Sequence, residues 1–386
     1  MQSKSKRSAG RNIFFGFITL LLVLLIVEIM FSIFFYHKYG NEKLAIVEAG
    51  KMLKGMLKSK PNPVNVENQK LVRSDSSEAT NRQIAEEIRR SNKFQYEPWV
   101  EFRNIDYTGR YVNIQNAIRK SIPSAYFNPA SKDTLDIYFF GGSTTFGFNL
   151  ADEETIPSQF VKLYRERYPN AKSIRVYNFG TPTYYSYQEL MLFTKLLFRG
   201  DRPGVVVFLD GVNDFWFAKA SYYNQSYFSY VLRQVFNQDL LTTGKFNFKD
   251  TADRMFRDPT DIPLKPFNDT LIAHYLTNIT NAEMMARLAG AKSYFFCQPV
   301  PFYRYPNQQR DPICFKDRHT RFEYIYPVLE KKAGSIPNFS FLGNLLENET
   351  GYPFVDGLHY SPAFTKKVVE QMLIVMIKDL QADGRN

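Results

Sequence analysis

The chain has 386 residues, of which 44% are hydrophobic, 16% aromatic and 23% charged. That composition excludes a disordered chain, a collagen-like chain and a polytopic membrane protein, and no repeat of about 20–50 residues is present to build a solenoid or propeller. The net charge is +11, but residues 1–60 hold ten Lys/Arg against three Asp/Glu, leaving +4 for the remaining 326; that is not the concentrated basic surface a nucleic-acid groove needs.

Residues 1–12 are a basic tail with Lys4, Lys6, Arg7 and Arg11. Residues 13–36 (IFFGFITLLLVLLIVEIMFSIFFY) carry one charge, Glu28. At about 1.5 Å of rise per residue, such a run crosses a hydrocarbon core of roughly 30 Å. The positive-inside rule then puts the tail in the cytoplasm and the rest of the chain outside it. No small-x-small cleavage site follows the apolar run, so the expectation is an uncleaved single-pass anchor in the cell (inner) membrane, with a periplasmic or extracytoplasmic domain. Residues 37–92 are polar and lysine-rich, and read as a stalk or linker.

From residue 93 to 386 the pattern alternates. Residues 134–140 (TLDIYFF), 174–179 (IRVYNF), 205–209 (VVVFL) and 293–297 (SYFFC) read as strands. Helical spacing recurs over 155–168 and 270–288. Ser186 with Glu189 spells a capping box opening a helix to about Phe198. Ser361-Pro362 pairs an N-cap with a proline suited to the first helical position, and Val368, Val369, Met372, Met376 and Leu380 follow at helical spacing. Residues 205–209 are fully apolar, as in a buried parallel strand, and strands alternating with helices predict a parallel sheet covered on both faces. Ligands in such sheets bind beyond the carboxyl ends of the strands.

Four short motifs fall at those ends: Gly141-Gly142-Ser143-Thr144, Asn178-Phe179-Gly180, Gly211-Val212-Asn213-Asp214, and Asp356-Gly357-Leu358-His359. Each alone reads equally as a turn, a structural amide or a surface pair. Together they hold the parts of ester chemistry. A serine hydroxyl needs a base, here His359, and the base needs an acid to hold its tautomer, here Asp356. A tetrahedral oxyanion needs preorganised donors, for which the N–H groups of Ser143 and Gly180 and the amide of Asn213 are candidates. Of the other histidines, His37 lies at the membrane edge, His274 in a predicted helix and His319 in a charged run. There is no CxxC, HExxH or His/Cys cluster, so neither a metal nor a cofactor is implied. Cys297 and Cys314 read either as a disulfide or as two unpaired thiols, because spacing does not set Cα separation.

In residue order and in these motifs, from about 135 to 380, the chain resembles the SGNH/GDSL hydrolase family. Ser143, Gly180, Asn213 and His359 match its four blocks, and Asp356 matches the acid of the last. The resemblance implies a flavodoxin-like three-layer α/β/α sandwich with a parallel sheet, a Ser143–His359–Asp356 triad, and an oxyanion hole from Ser143, Gly180 and Asn213. Gly142 stands where the family usually has an acid, a GGST variant. The α/β-hydrolase elbow GxSxG is absent.

An insertion at about 215–265 follows the Asn213 block and begins with aromatics, including Trp216, Tyr222 and Tyr223. It reads either as a surface that stacks on sugar rings or lines an acyl pocket, or as a lid packed for its own stability. Five Asn-x-Ser/Thr sequons, at Asn224, Asn268, Asn278, Asn338 and Asn348, carry no message about origin. The leading expectation is a membrane-anchored serine ester hydrolase acting on O-acyl groups of an extracytoplasmic glycan. The alternatives are an O-acyltransferase with the same triad beside a membrane acyl-donor partner, a lipid esterase, and a non-catalytic glycan-binding scaffold.

Overall fold

A computed structural model describes residues 18–19, 22–30, 77–129, 133–216, 264–315 and 320–381. The chain divides into two compact units, one of residues 1–68 with 230–254 and one of 69–229 with 255–386. Of the first unit, residues 22–30 are helical and their apolar side chains are exposed. Among the described residues no helix is long and apolar enough to cross a membrane; most of the expected span 13–36 lies outside them, as do the basic tail and residues 37–76.

The second unit is built on a nine-stranded sheet. Its centre is β7 (Thr134–Gly141), β8 (Ser173–Asn178), β9 (Val205–Asp210), β10 (Lys292–Cys297) and β11 (Phe339–Phe341). These run parallel, in the order β11-β10-β9-β7-β8. Every residue of β9 is buried, because its Val-Val-Val-Phe-Leu run meets a helical layer on each face.

The period of two along the strands sorts side chains between those layers. Phe140, Phe208 and Phe295 face α4 (Ser186–Arg199), α6 (Leu264–Leu288) and α7 (Thr320–Ala333), packing with Phe193, Tyr275 and Phe322. Phe139, Val207 and Phe296 face α3 (Ile156–Arg167) and α8 (Pro362–Gln381), packing with Phe160 and Met372. The three-layer sandwich expected from the strand–helix alternation is therefore present.

The sheet is mixed rather than parallel. Beyond β8 come β5 (Ile118–Arg119), β4 (Asn113–Gln115) and β3 (Tyr107–Thr108), with β6 (Ala125–Tyr126) also on β8, all antiparallel. These strands are two or three residues long, too short to show a period. A separate hairpin pairs β1 (Phe94–Glu97) with β2 (Glu101–Asn104).

The expected stalk also needs correcting at its end. Residues Glu78–Ser91 form a helix, α1, capped by Ser77 Oγ accepting from Thr80 N. Its Ile84 and Ile88 are buried with Val112, Ile114, Phe146 and Ala151. The folded body thus begins before residue 93, because two isoleucines one helical turn apart bury against it.

Candidate active site

Strand β7 ends in Gly141, and the chain enters a four-residue helix, α2 (Ser143–Phe146), whose N-cap is Gly142. Ser143 is the first helical residue, so its N–H has no acceptor within the helix. Its partners arrive from the far end of the chain. In the turn before α8, Asp356 Oδ1 accepts the backbone N–H groups of Leu358 (2.9 Å) and His359 (2.8 Å). That local turn explains the three-residue spacing: it returns the His359 ring to its own acid. The turn is closed by Val355 N donating to His359 O at 2.8 Å and by a bridge between Phe354 and Tyr360. Ser361 Oγ then accepts from Phe364 N, and Pro362 opens α8 as the sequence predicts.

His359 Nδ1 lies 2.7 Å from Asp356 Oδ2, and His359 Nε2 lies 2.7 Å from Ser143 Oγ. Ser143, His359 and Asp356 are thus together across 216 positions of sequence. The His359 and Asp356 side chains are 16% and 9% exposed. Burial alone raises the Asp356 pKa, but the His359 charge and hydrogen bond and the two backbone N–H donors outweigh it and hold the group below its ordinary value. An ionised Asp356 only accepts, so Nδ1 carries the proton and Nε2 is free to accept from the serine hydroxyl.

The three expected oxyanion donors differ. Asn213 is buried in α5 (Val212–Trp216), two residues beyond the β9–α5 turn at Gly211, and its Nδ2 donates to Tyr184 O at 2.7 Å. A primary amide has a second N–H to offer. The Asn213 amide lies against Gly142, the residue before the serine. Gly180 is otherwise engaged: its N–H donates to Asn178 Oδ1 at 3.0 Å, and Asn178 Nδ2 donates to Thr145 O at 2.9 Å. A Cβ on Gly180 would come within 2.3 Å of Phe146 N. Here the glycine permits the close approach of two backbones, and its donor is turned to Asn178.

The Trp216 ring lies tilted against Phe302 (5.0 Å) and Phe315 (5.4 Å), and the Phe315 ring packs on Gly357 of the histidine turn. Tyr222, Tyr223 and the rest of the insertion to residue 263 lie outside the described residues, as do His37 and His319. His274 is exposed on α6. Cys297 and Cys314 are both buried free thiols, not a disulfide. Cys297 closes β10 beside Gly211, whereas Cys314 sits in a loop with Sγ donating to Gln308 O at 3.5 Å. Among the described residues no group of three or more His, Cys, Asp or Glu is arranged to hold a metal ion.

Several participants are silent in the sequence. Asn149 Nδ2 donates to Asp356 Oδ2 at 2.6 Å, and the Phe148 ring lies 4.8 Å from the His359 ring. Gln298 Nε2 donates to Thr144 Oγ1 at 3.2 Å. Beneath Asn213 three carboxyls are buried together: Glu189, Asp210 and Asp214. Asp214 accepts from Ser186 N and Ser186 Oγ, and Tyr275 OH donates to Asp210 Oδ1 at 2.5 Å. The expected capping box is therefore not formed. Tyr185 is the N-cap of α4, Ser186 turns to Asp214, and Glu189 faces the acids instead of the helix end. Burial raises the pKa of Glu189 and Asp210 well above ordinary values, their acidic neighbours adding to it, and burial pushes Asp214 up to about 6 against its hydrogen bonds.

A three-layer α/β sandwich with Ser, His and Asp converging at the rim of its parallel strands is thus the class that fold and site define. No protein-family model matches the chain, and no curated protein matches it. Among solved structures it is similar to a variant of Axe2, an acetyl-xylooligosaccharide esterase from Geobacillus, at 15% identity and TM-score 0.39, over 65% of this chain and 96% of that one. It is similar to TesA at 17% identity and TM-score 0.37, over 62% and 97%. It is also similar to the psychrotrophic esterase EstA from Pseudoalteromonas sp. at 15% identity and TM-score 0.35, over 64% and 99%.

Proposed function

We propose that the chain is a serine ester hydrolase working through an acyl-enzyme. The observation that carries this reading is the 2.7 Å contact of Ser143 Oγ with His359 Nε2, in a ring whose Nδ1 is held by Asp356 at 2.7 Å. Ser143 Oγ attacks the ester carbonyl as its proton passes to His359 Nε2. Asp356 stabilises the resulting imidazolium. The carbonyl oxygen, now an oxyanion, takes the Ser143 N–H and the second N–H of Asn213. Collapse breaks the ester C–O bond, and the leaving alkoxide takes the proton from His359. Water then attacks the acyl-serine, giving its proton to His359; release of the acid returns that proton to Ser143.

The substrate we assign is an O-acyl group, such as acetyl, on a glycan outside the cytoplasm. Residues 13–36 support this reading through their length and apolarity, with Lys4, Lys6, Arg7 and Arg11 on the amino-terminal side. The full-length protein in detergent should release p-nitrophenol from p-nitrophenyl acetate and acetate from an O-acetylated polysaccharide. Ser143→Ala should abolish both. Undiminished activity in that variant would remove Ser143 as nucleophile, and acetyl groups appearing on an added acceptor glycan in place of free acetate would make the protein a transferase. Deleting residues 13–36 should move it from the membrane to the soluble fraction.

A further inference from the structure

The acid of the triad is gripped from the nucleophile's own segment. Asn149 Nδ2 donates to Asp356 Oδ2 at 2.6 Å. That oxygen also accepts from His359 Nδ1, while Oδ1 is filled by the N–H groups of Leu358 and His359. Both Asp356 oxygens are thus directed by donors, and Asn149 is the one that comes from outside the histidine turn.

Three features show that the segment is shaped for this contact. Asn149 has φ 61°, the left-handed region that costs most L-residues free energy and that asparagine tolerates best among those with a side chain. The residue before it, Phe148, lays its ring on His359 at 4.8 Å and an interplanar angle of 31°. The residue after it, Leu150, is held from behind: its carbonyl accepts Arg119 Nη2 at 2.9 Å. Arg119 in turn pairs with Asp152 at 2.8 Å, both almost fully buried, and lies over the Phe146 ring. The charged and titratable groups around the junction are therefore His359 on the acid's own turn, and Arg119 and Asp152, paired with each other, behind the segment.

We infer that Asn149 is a positioning residue, which fixes the Asp356 carboxylate against His359 and so couples the geometry of the nucleophile segment to the basicity of the imidazole. This rests on the proposed Ser143–His359–Asp356 chemistry, and it is tested on a readout that does not need turnover. The variants are Asn149→Gly, which keeps the left-handed backbone and removes only the amide, and Asn149→Asp, which places a second carboxylate beside Asp356.

In the full-length chain in detergent micelles, the His359 ring is titrated by NMR, its signal assigned by loss in His359→Gln. Asn149→Asp should raise the His359 pKa by about one unit, since added negative charge within a few ångströms favours imidazolium. The acid limb of kcat/KM should move up with it. Asn149→Gly should lower kcat about tenfold with KM within about twofold, as expected for a displaced catalytic group. An unchanged His359 titration in Asn149→Asp, or a wild-type kcat in Asn149→Gly, would overturn the inference. Failure of a fluorophosphonate to label Ser143 in the wild type would instead strike the parent reading, and the NMR titration would still decide the role of Asn149.

Discussion

Gly142 and Asn213 are in such close contact that a Cβ on Gly142 would stand 2.5 Å from Asn213 Nδ2, and 3.0 Å from Tyr184 O, the carbonyl that accepts from that amide. The glycine before the serine is therefore required by the asparagine. An acidic side chain, usual there in the family this chain resembles, has no room unless Asn213 moves. Gly142→Ala should displace the Asn213 amide and lower kcat on p-nitrophenyl acetate about as much as Asn213→Ala does. Loss of one oxyanion donor costs roughly 10²–10³-fold. A Gly142→Ala enzyme with wild-type kcat and an intact fold would contradict this.

Asp356 is held ionised by its donors, with a folded-state pKa below its ordinary 3.8. Its contribution to stability is present above the unfolded value and disappears as pH falls through the folded value. Asp356→Asn should therefore cost most stability above about pH 4 and approach the wild type in more acidic solution, as followed by thermal melting. On activity, the same variant should lose about 10⁴-fold in kcat, because an amide no longer holds the proton on Nδ1.

The acids under Asn213 carry the opposite sign. Glu189 is 0% exposed, and neither of its oxygens meets a hydrogen-bond donor. Its pKa is raised by burial and by the carboxyls of Asp210 and Asp214. The folded chain keeps protons that the unfolded chain gives up above the ordinary value of 4.5, so stability falls as pH rises from there toward the folded value. Glu189→Gln removes this dependence and supplies an N–H to Asp210. Its melting temperature should exceed that of the wild type at pH 8 and converge with it near pH 4. A variant less stable at every pH would show that the carboxyl itself is needed.

Both thiols are free and buried, and burial raises the Cys297 pKa well above its ordinary value. Nucleophilic reactivity requires thiolate. A disulfide-exchange reagent should find almost no thiol in the folded protein and two in denaturant. Fewer than two after denaturation without reductant would mean the pair had oxidised.

Where sequence reasoning went wrong, a local pattern had a distant competitor. Ser186 and Glu189 have capping-box spacing, yet Asp214 claims the serine and the buried acids surround the glutamate. Ile84 and Ile88 sit in a segment polar enough to pass as a stalk, and only their partners Val112, Ile114 and Phe146 make α1 part of the body. Strands β3 to β6 span two or three residues each, below the length at which alternation can be read. Asn149 is an unremarkable asparagine until the chain returns 207 residues later.

Sequence by itself determined the alternation of strand and helix, since burial on both faces of a parallel strand demands the continuous apolar run seen at residues 205–209. It also determined the Asp356–His359 pair, whose geometry is one local turn. Tertiary structure alone decided which strand ends meet. The β7–β9 register sets Gly141 beside Leu209, and from there Asn213 reaches Gly142 while the turn before α8 brings His359 to Ser143. Periodicity states which face a side chain takes, whereas convergence of loops depends on strand order and register, which are summed over contacts far apart in the chain.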